Sequence, residues 1–209
     1  VKHSESEHDE INKIKKKLDK IKNYSNYYLL NDINLCKPAK LTKSDLVDFK
    51  SKCSSLPKDN ITKKNINKKL DQLMILNMPY GGLPVDDYLD DFSFEKLHEV
   101  HVSLMRLLNN GISPMNKINI YHCDIKDSNV LVDESANPLK TRLIDWGLVT
   151  QYIPFKNNKF PKSWRNRPLQ FNVPFSVIIF TDVFVEKYTK FIHDGRTITE
   201  RSLKPFIVD

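Results

Sequence analysis

The chain has 209 residues, 40% of them hydrophobic and 28% charged, with 33 Lys and Arg against 26 Asp and Glu. That much apolar material over that length can bury one large core or two small ones, which excludes a disordered or fibrous polypeptide. Three cysteines without CxxC spacing (Cys36, Cys53 and Cys123) exclude a disulfide-framed scaffold and a zinc ribbon, and point to a reducing, intracellular compartment, the cytoplasm or nucleus.

The formal charge of +7 comes largely from KIKKKLDKIK (13–22) and KDNITKKNINKK (58–69). A basic surface of this kind suits a nucleic acid, an acidic protein or an anionic lipid, although a solvated helix face is the simpler account. The longest apolar run, near 177–185, is interrupted by Asp182 and is too short for a membrane span. The first ten residues, VKHSESEHDE, are polar and acidic and do not read as a secretory signal.

In chain order, Ile11, Ile14, Leu18 and Ile21 recur at helical spacing and predict an amphipathic helix over 7–22 with a Lys-rich outer face. NYYLL (26–30) and INLC (33–36) read as a short hairpin. Residues 37–70 are rich in Lys, Ser and Asn and read as a surface insertion, with one helix that puts Leu46, Phe49, Cys53 and Leu56 on one face. LDQLMILNM (70–78) is a strand candidate followed by the turn PYGG, and a short helix is expected over 84–91.

Ser93 is an N-cap for a long helix to Gly111, with Leu97, Val100, His101, Leu104, Leu107 and Leu108 as its stripe. INIY (118–121), NVLV (129–132) and TRLI (141–144) are three short β-type runs. A last helix is expected from Asn172 and Pro174 onward, with Val177, Phe180, Phe184, Tyr188 and Phe191 at helical spacing. The fold class is therefore α+β.

The chemistry concentrates in YHCDIKDSNVLV (121–132), where His122-x-Asp124-x-Lys126-x-x-Asn129 is followed sixteen residues later by Asp145 in LIDWG. Phosphoryl transfer from ATP needs a carboxylate that takes the proton of the attacking hydroxyl, a cation near the γ-phosphate and oxygen ligands for Mg²⁺. Asp124, Lys126, Asn129 and Asp145 supply that set. Four fixed residue types at usage near ~5% arise by chance in about one of ~10³ chains of this length.

These two stretches together resemble the catalytic loop and the metal-binding motif of the protein kinase superfamily. The resemblance implies a two-lobe kinase fold, with a partial N-lobe over 1–78 and a mostly helical, incomplete C-lobe over 79–209. It implies Asp124 as catalytic base, Lys126 as γ-phosphate contact, and Asn129 and Asp145 as Mg²⁺ ligands. His122 and Gly147 become structural supports.

Lysine two residues after Asp124 is similar to the serine/threonine class, so a protein substrate is implied. LMILNMPYGG resembles the last N-lobe strand and hinge, with Leu76 as gatekeeper and Asn77, Met78 and Pro79 against the nucleotide. Helix 10–18 resembles the regulatory helix, with Glu10 as its ion-pairing carboxylate and Glu7 one turn away as the alternative.

Departures from the family pattern are equally visible. No Gly-rich loop and no strand lysine occurs, and the chain begins at about the regulatory helix, so it is expected to be a fragment of a longer protein. Pro79 offers no hinge N–H to adenine, and Cys123 stands where many kinases carry an Arg.

Arg167-Pro168-Leu169-Gln170 occupies the place of the usual APE triplet, and Asp182 is expected to brace the catalytic loop. This segment and the Lys/Asn/Ile-heavy composition resemble kinase-like proteins of large DNA viruses, which also implies a virion-associated location as an alternative. Two other functions fit the same residues: a pseudokinase acting as a binding module, and a small-molecule phosphotransferase of the aminoglycoside or choline kinase type, whose sequences also carry IDWG.

Overall fold

A computed structural model describes residues 2–91, 93–153, 156, 160–166, 178–193, 197 and 199. The fold is mixed α+β with small antiparallel sheets. Two compact units form, one from Val1–Pro114 and Asp127–Gly147, the other from Met115–Lys126 and Leu148–Asp209. The boundary expected between residues 78 and 79 falls inside the first unit. Among the described residues, no helix is long and apolar enough to cross a membrane.

In the first unit, α1 (Lys2–Leu18) buries Ile11, Ile14 and Leu18 and leaves Lys13 and Lys16 exposed. It stops at Leu18 rather than 22, and Ile21 is buried just beyond its end. Strand β1 (Asn34–Cys36) pairs antiparallel with β2 (Ile75–Asn77), so INLC does not form a hairpin with NYYLL. Tyr27–Leu29 instead runs beside Leu143, which donates its N–H to the Tyr27 carbonyl at 2.8 Å and accepts from the Leu29 N–H at 3.1 Å. Hydrogen bonds across more than a hundred residues decide that pairing, and local alternation cannot reveal it.

Residues 37–74 leave the β1–β2 ladder and return to it around a core of their own. Phe49, Ile61 and Ile66 are buried there, with Leu41, Leu46, Cys53 and Leu56 packed against them. The predicted helix shrinks to one turn, α2 (Phe49–Lys52). Its apolar side chains do cluster, but Asp48 and Asn60 in left-handed backbone and Pro57 in a 3₁₀ turn break the continuous helix.

The main sheet has the order β3 (Leu83–Pro84), β5 (Val130–Asp133), β6 (Lys140–Leu143), with β4 (Ile120–Tyr121) belonging to the second unit. After β3 come α3 (Val85–Leu89) and α4 (Phe94–Leu107), whose N-cap Ser93 accepts the Lys96 N–H at 3.1 Å. The chain then passes a π turn at Leu108–Ile112 and enters α5 (Ser113–Lys117). The buried line of α4 is Val100, Ser103 and Leu107, while Leu97, His101 and Leu108 are exposed. Ser103 is acceptable in that line because its hydroxyl donates to the Leu139 carbonyl at 3.0 Å and meets the Thr141 hydroxyl at 3.0 Å, which pins α4 to β6.

Tyr28 ties this unit together. It is 1% exposed, its hydroxyl donates to the Gly111 carbonyl in the π turn at 2.7 Å, and its ring meets Trp146 edge to face at 5.6 Å. Burial, with a smaller effect of Tyr27, pushes the Tyr28 phenol well above its usual range, so it stays a neutral donor.

The second unit pairs β4 with β7 (Thr150–Gln151) and packs Tyr121, Tyr152, Phe160, Trp164 and Phe180 into one aromatic cluster, with ring centroids 4.6–6.1 Å apart. Trp164 sits on α6 (Lys162–Arg165). In the last helix among the described residues, α7 (Asp182–His193), the Thr181 hydroxyl accepts the Phe184 N–H at 3.2 Å as its cap. Arg167 to Gln170, Asn172, Pro174 and Val177 lie outside the described residues.

The PYGG turn has a strict requirement. Gly82 has φ +108°, and a Cβ there would meet the Val132 carbonyl oxygen of β5 at 1.9 Å, closer than any side chain tolerates. Gly82→Ala is therefore expected to lower stability by about 2 kcal/mol or more, measured as a drop in the urea midpoint at unchanged slope. An unchanged midpoint would contradict the β3–β5 pairing.

Candidate functional site

The β5–β6 hairpin places two of the candidate oxygen donors. Its register pairs Val130 with Leu143, and one step further out the Ile144 N–H donates to the Asn129 carbonyl at 3.1 Å. Asn129, at the end of a 3₁₀ turn, is buried, whereas Asp145 is exposed in left-handed backbone with φ 61°. Trp146 turns inward onto Tyr28, which directs the neighbouring Asp145 outward. The Asp145 Oδ1 accepts the Gly147 N–H at 3.3 Å, and a Cβ on residue 147 would lie 3.4 Å from that oxygen.

An amide oxygen and a carboxylate are hard donors suited to Mg²⁺. Among the described residues there is no group of three or more His, Cys, Asp or Glu side chains that could cage a metal. A Mg²⁺ ion carried on nucleotide phosphates needs no such cage, because it takes one or two protein oxygens and keeps waters and phosphate oxygens for the rest. Asn129 and Asp145 fit that demand.

The other candidates lie in the second unit, where β4 delivers the chain into a constrained turn. His122 is 1% exposed, and its Nδ1 accepts the Asp124 N–H at 3.3 Å. The Lys126 ammonium lies 3.3 Å from the Asp124 carboxylate, which is 9% exposed. Asp124, Lys126 and His122 are thus brought together in one unit, as are Asn129, Asp145 and Gly147 in the other.

Cys123, between His122 and Asp124, has φ 63°. The other described non-glycine residues with positive φ are all Asn or Asp, which tolerate that region. Cys123 is the exception. Strain of this kind is worth on the order of 1–3 kcal/mol and persists only where the surroundings enforce it.

The Cys123 Sγ accepts the Trp164 indole N–H at 3.1 Å, and its thiol reaches the Tyr121 carbonyl at 3.4 Å. The Tyr121 and Trp164 rings meet edge to face at 5.6 Å. Around them is a cavity of about 240 Å³ lined by Tyr121, Cys123, Ile125, Trp164 and Phe180, among others. Trp164 carries no signal in the sequence, since its partner Cys123 is 41 residues away.

The remaining expected residues are dispersed. Leu76 is half-buried in β2 opposite Leu35, Asn77 and Met78 are exposed, and Pro79 is half-buried. Glu10 is exposed on α1, and Glu7 is half-buried. Asp182, expected to brace the catalytic loop, is instead 55% exposed at the first turn of α7 and pairs with Arg165 at 3.2 Å. Its position at a helix N-terminus, beside a guanidinium, accounts for a carboxylate there without any link to Asp124.

Compared with known proteins, the chain matches no protein-family model and no curated protein.

The backbone at Cys123 yields a direct test. Both Cys123→Gly and Cys123→Ala remove the sulfur, but only glycine relaxes the left-handed conformation. Cys123→Gly is expected to be more stable than Cys123→Ala by about 1 kcal/mol in urea unfolding, the reverse of the order at an ordinary position. Equal stability of the two variants would show that position 123 is not strained.

Proposed function

We propose that this chain is the catalytic part of a serine/threonine protein kinase with the two-lobe kinase fold, and that it transfers the γ-phosphoryl group of ATP to a hydroxyl of a protein substrate. The observation that carries this reading is the hairpin register that sets Asn129 beside the Ile144–Asp145 step, with Ile144 N–H to Asn129 O at 3.1 Å. A pair of hard oxygen donors fixed by backbone hydrogen bonds suits a Mg²⁺–nucleotide better than an ordinary polar turn does.

In this reading Asp124 accepts the proton of the substrate hydroxyl as its oxygen bonds to the γ-phosphorus and the bond to the β,γ-bridging oxygen breaks, releasing ADP. Lys126, 3.3 Å from Asp124, supplies a positive charge for the transferred group. His122 holds the Asp124 backbone through Nδ1 and stays out of the chemistry. Asn129 and Asp145 would hold a Mg²⁺ ion, which would supply charge neutralisation at the phosphates. Leu76, Asn77, Met78 and Pro79 are the side chains assigned to the adenine end. An intracellular or virion-associated site of action and a relationship to kinase-like proteins of large DNA viruses belong to the same proposal.

Asp124→Asn is the decisive variant. It keeps the side-chain size while removing the proton acceptor, so labelled phosphate incorporation into a protein acceptor is expected to fall by at least about a hundredfold, with the urea midpoint little changed. Equal incorporation by both forms would exclude Asp124 as the base. Nucleotide binding without any transfer by the parent chain would favour a binding module. Transfer to aminoglycosides or choline in preference to protein would favour a small-molecule phosphotransferase.

A further inference from the structure

We propose that residues 37–70 form a docking surface for the sugar-phosphate backbone of nucleic acid. The argument is independent of the phosphoryl-transfer reading and begins with where the charge lies. These 34 residues hold ten of the chain's 33 Lys and Arg residues and three of its 26 Asp and Glu residues. They carry +7 by themselves, and the rest of the chain sums to zero because carboxylates elsewhere offset the Lys-rich 13–22 stretch.

The same residues form a separate structural element. They leave and rejoin the first unit through the β1–β2 ladder, where Cys36 pairs with Ile75, and they fold over the Phe49, Ile61 and Ile66 core. A segment with its own core presents its charge on a fixed surface. Of the ten lysines, Lys37 is engaged with the Asp71 and Leu73 carbonyls and Lys69 with the Asn60 carbonyl. The other eight, among them Lys50, Lys52, Lys58, Lys63, Lys64 and Lys68, are exposed, and among the described residues none has a carboxylate within ion-pair distance. One of the three acidic residues is spent internally, since the Asp45 carboxylate accepts the Thr42 N–H at 2.8 Å and its hydroxyl at 2.8 Å.

The composition selects the kind of anion. A protein partner would need buried aromatic or Arg anchors, and residues 37–70 contain no Arg, Trp or Tyr. Their one aromatic residue, Phe49, is buried in the small core, so there is no platform for base stacking or for insertion among lipid headgroups. What remains is an array of exposed point charges. That is sufficient for phosphates spaced along a nucleic acid, whose binding is driven by counterion release and carries little sequence preference.

The test is fluorescence anisotropy of a labelled 20-base-pair DNA duplex with the full chain between 50 and 200 mM NaCl. Binding is expected at 50 mM and should weaken about a hundredfold by 200 mM. The triple variant Lys63→Ala, Lys64→Ala, Lys68→Ala should flatten the log–log salt slope by about 2–3, at roughly 0.9 per lost phosphate contact. The same three positions changed to Arg should restore the slope. Lys13→Ala and Lys16→Ala on α1, with Lys20→Ala just beyond its end, should leave affinity within about twofold. No binding at 50 mM, or a slope unchanged by the 63/64/68 variant, overturns the proposal. Tighter binding to a polyglutamate peptide or to phosphatidylserine vesicles than to the duplex at equal ionic strength also overturns it, in favour of an acidic protein or a membrane surface.

Discussion

Strand β6 and its register fix most of what can be said about the first unit. Four residues, Lys140–Leu143, are bound on one edge by β5, on the other by Tyr27–Leu29, and on one face by Ser103 of α4. Because strand side chains alternate, a slip of one residue would turn Leu143 and Thr141 outward and Arg142 inward. Leu143 is fully buried and Thr141 nearly so, whereas the Arg142 guanidinium reaches the Asp133 carboxylate at 2.8 Å and the Gly81 carbonyl. Both faces therefore resist the slip. Asn129 and Asp145 take their places as a consequence of this register.

Left-handed backbone at two candidate residues is likewise held by its surroundings. Cys123 and Asp145 are both in left-handed backbone, one preceding a carboxylate and one bearing it. At Asp145 the local turn to Gly147 and the burial of Trp146 hold the conformation. At Cys123 the aromatic cluster does so through Trp164, together with the buried His122 on the Asp124 N–H. Each unit supplies its own support. An Arg in place of Cys123 would bring a long cationic side chain to the spot where the indole N–H now meets sulfur, so the aromatic packing and the cysteine belong together.

Local patterns were legible in the sequence and distant pairings were not. The Ser93 cap, the short helix after PYGG, and the runs INIY, NVLV and TRLI appear in the structure because caps, turns and alternation act over a few residues. The buried line of α4 departs from its apolar pattern because it runs through Ser103, a polar residue. Only its partners Leu139, just before β6, and Thr141 on β6, 36 and 38 residues away, make it a core residue. The β1–β2 pairing hides behind the 37–74 excursion, and the helix expected to align Leu46, Phe49, Cys53 and Leu56 gives way to the single turns Phe49–Lys52 and Leu56–Asp59, flanked by Asp48 and Asn60 in left-handed backbone. Among the candidate residues, Asp124, Lys126, Asn129 and Asp145 stand out by type and spacing. Trp164 does not, because nothing near it in the chain indicates a partner.

The central claim is that these residues serve a Mg²⁺–nucleotide, and thermal unfolding of the full chain tests it most directly. With Mg²⁺ and millimolar ATP at about ten times the dissociation constant, binding adds about 1.4 kcal/mol and should raise Tm by roughly 3–5 °C. The shift should vanish without Mg²⁺ and shrink markedly in Asp145→Ala. The absence of any shift at millimolar Mg²⁺–ATP, or an equal shift in the variant, would contradict the account.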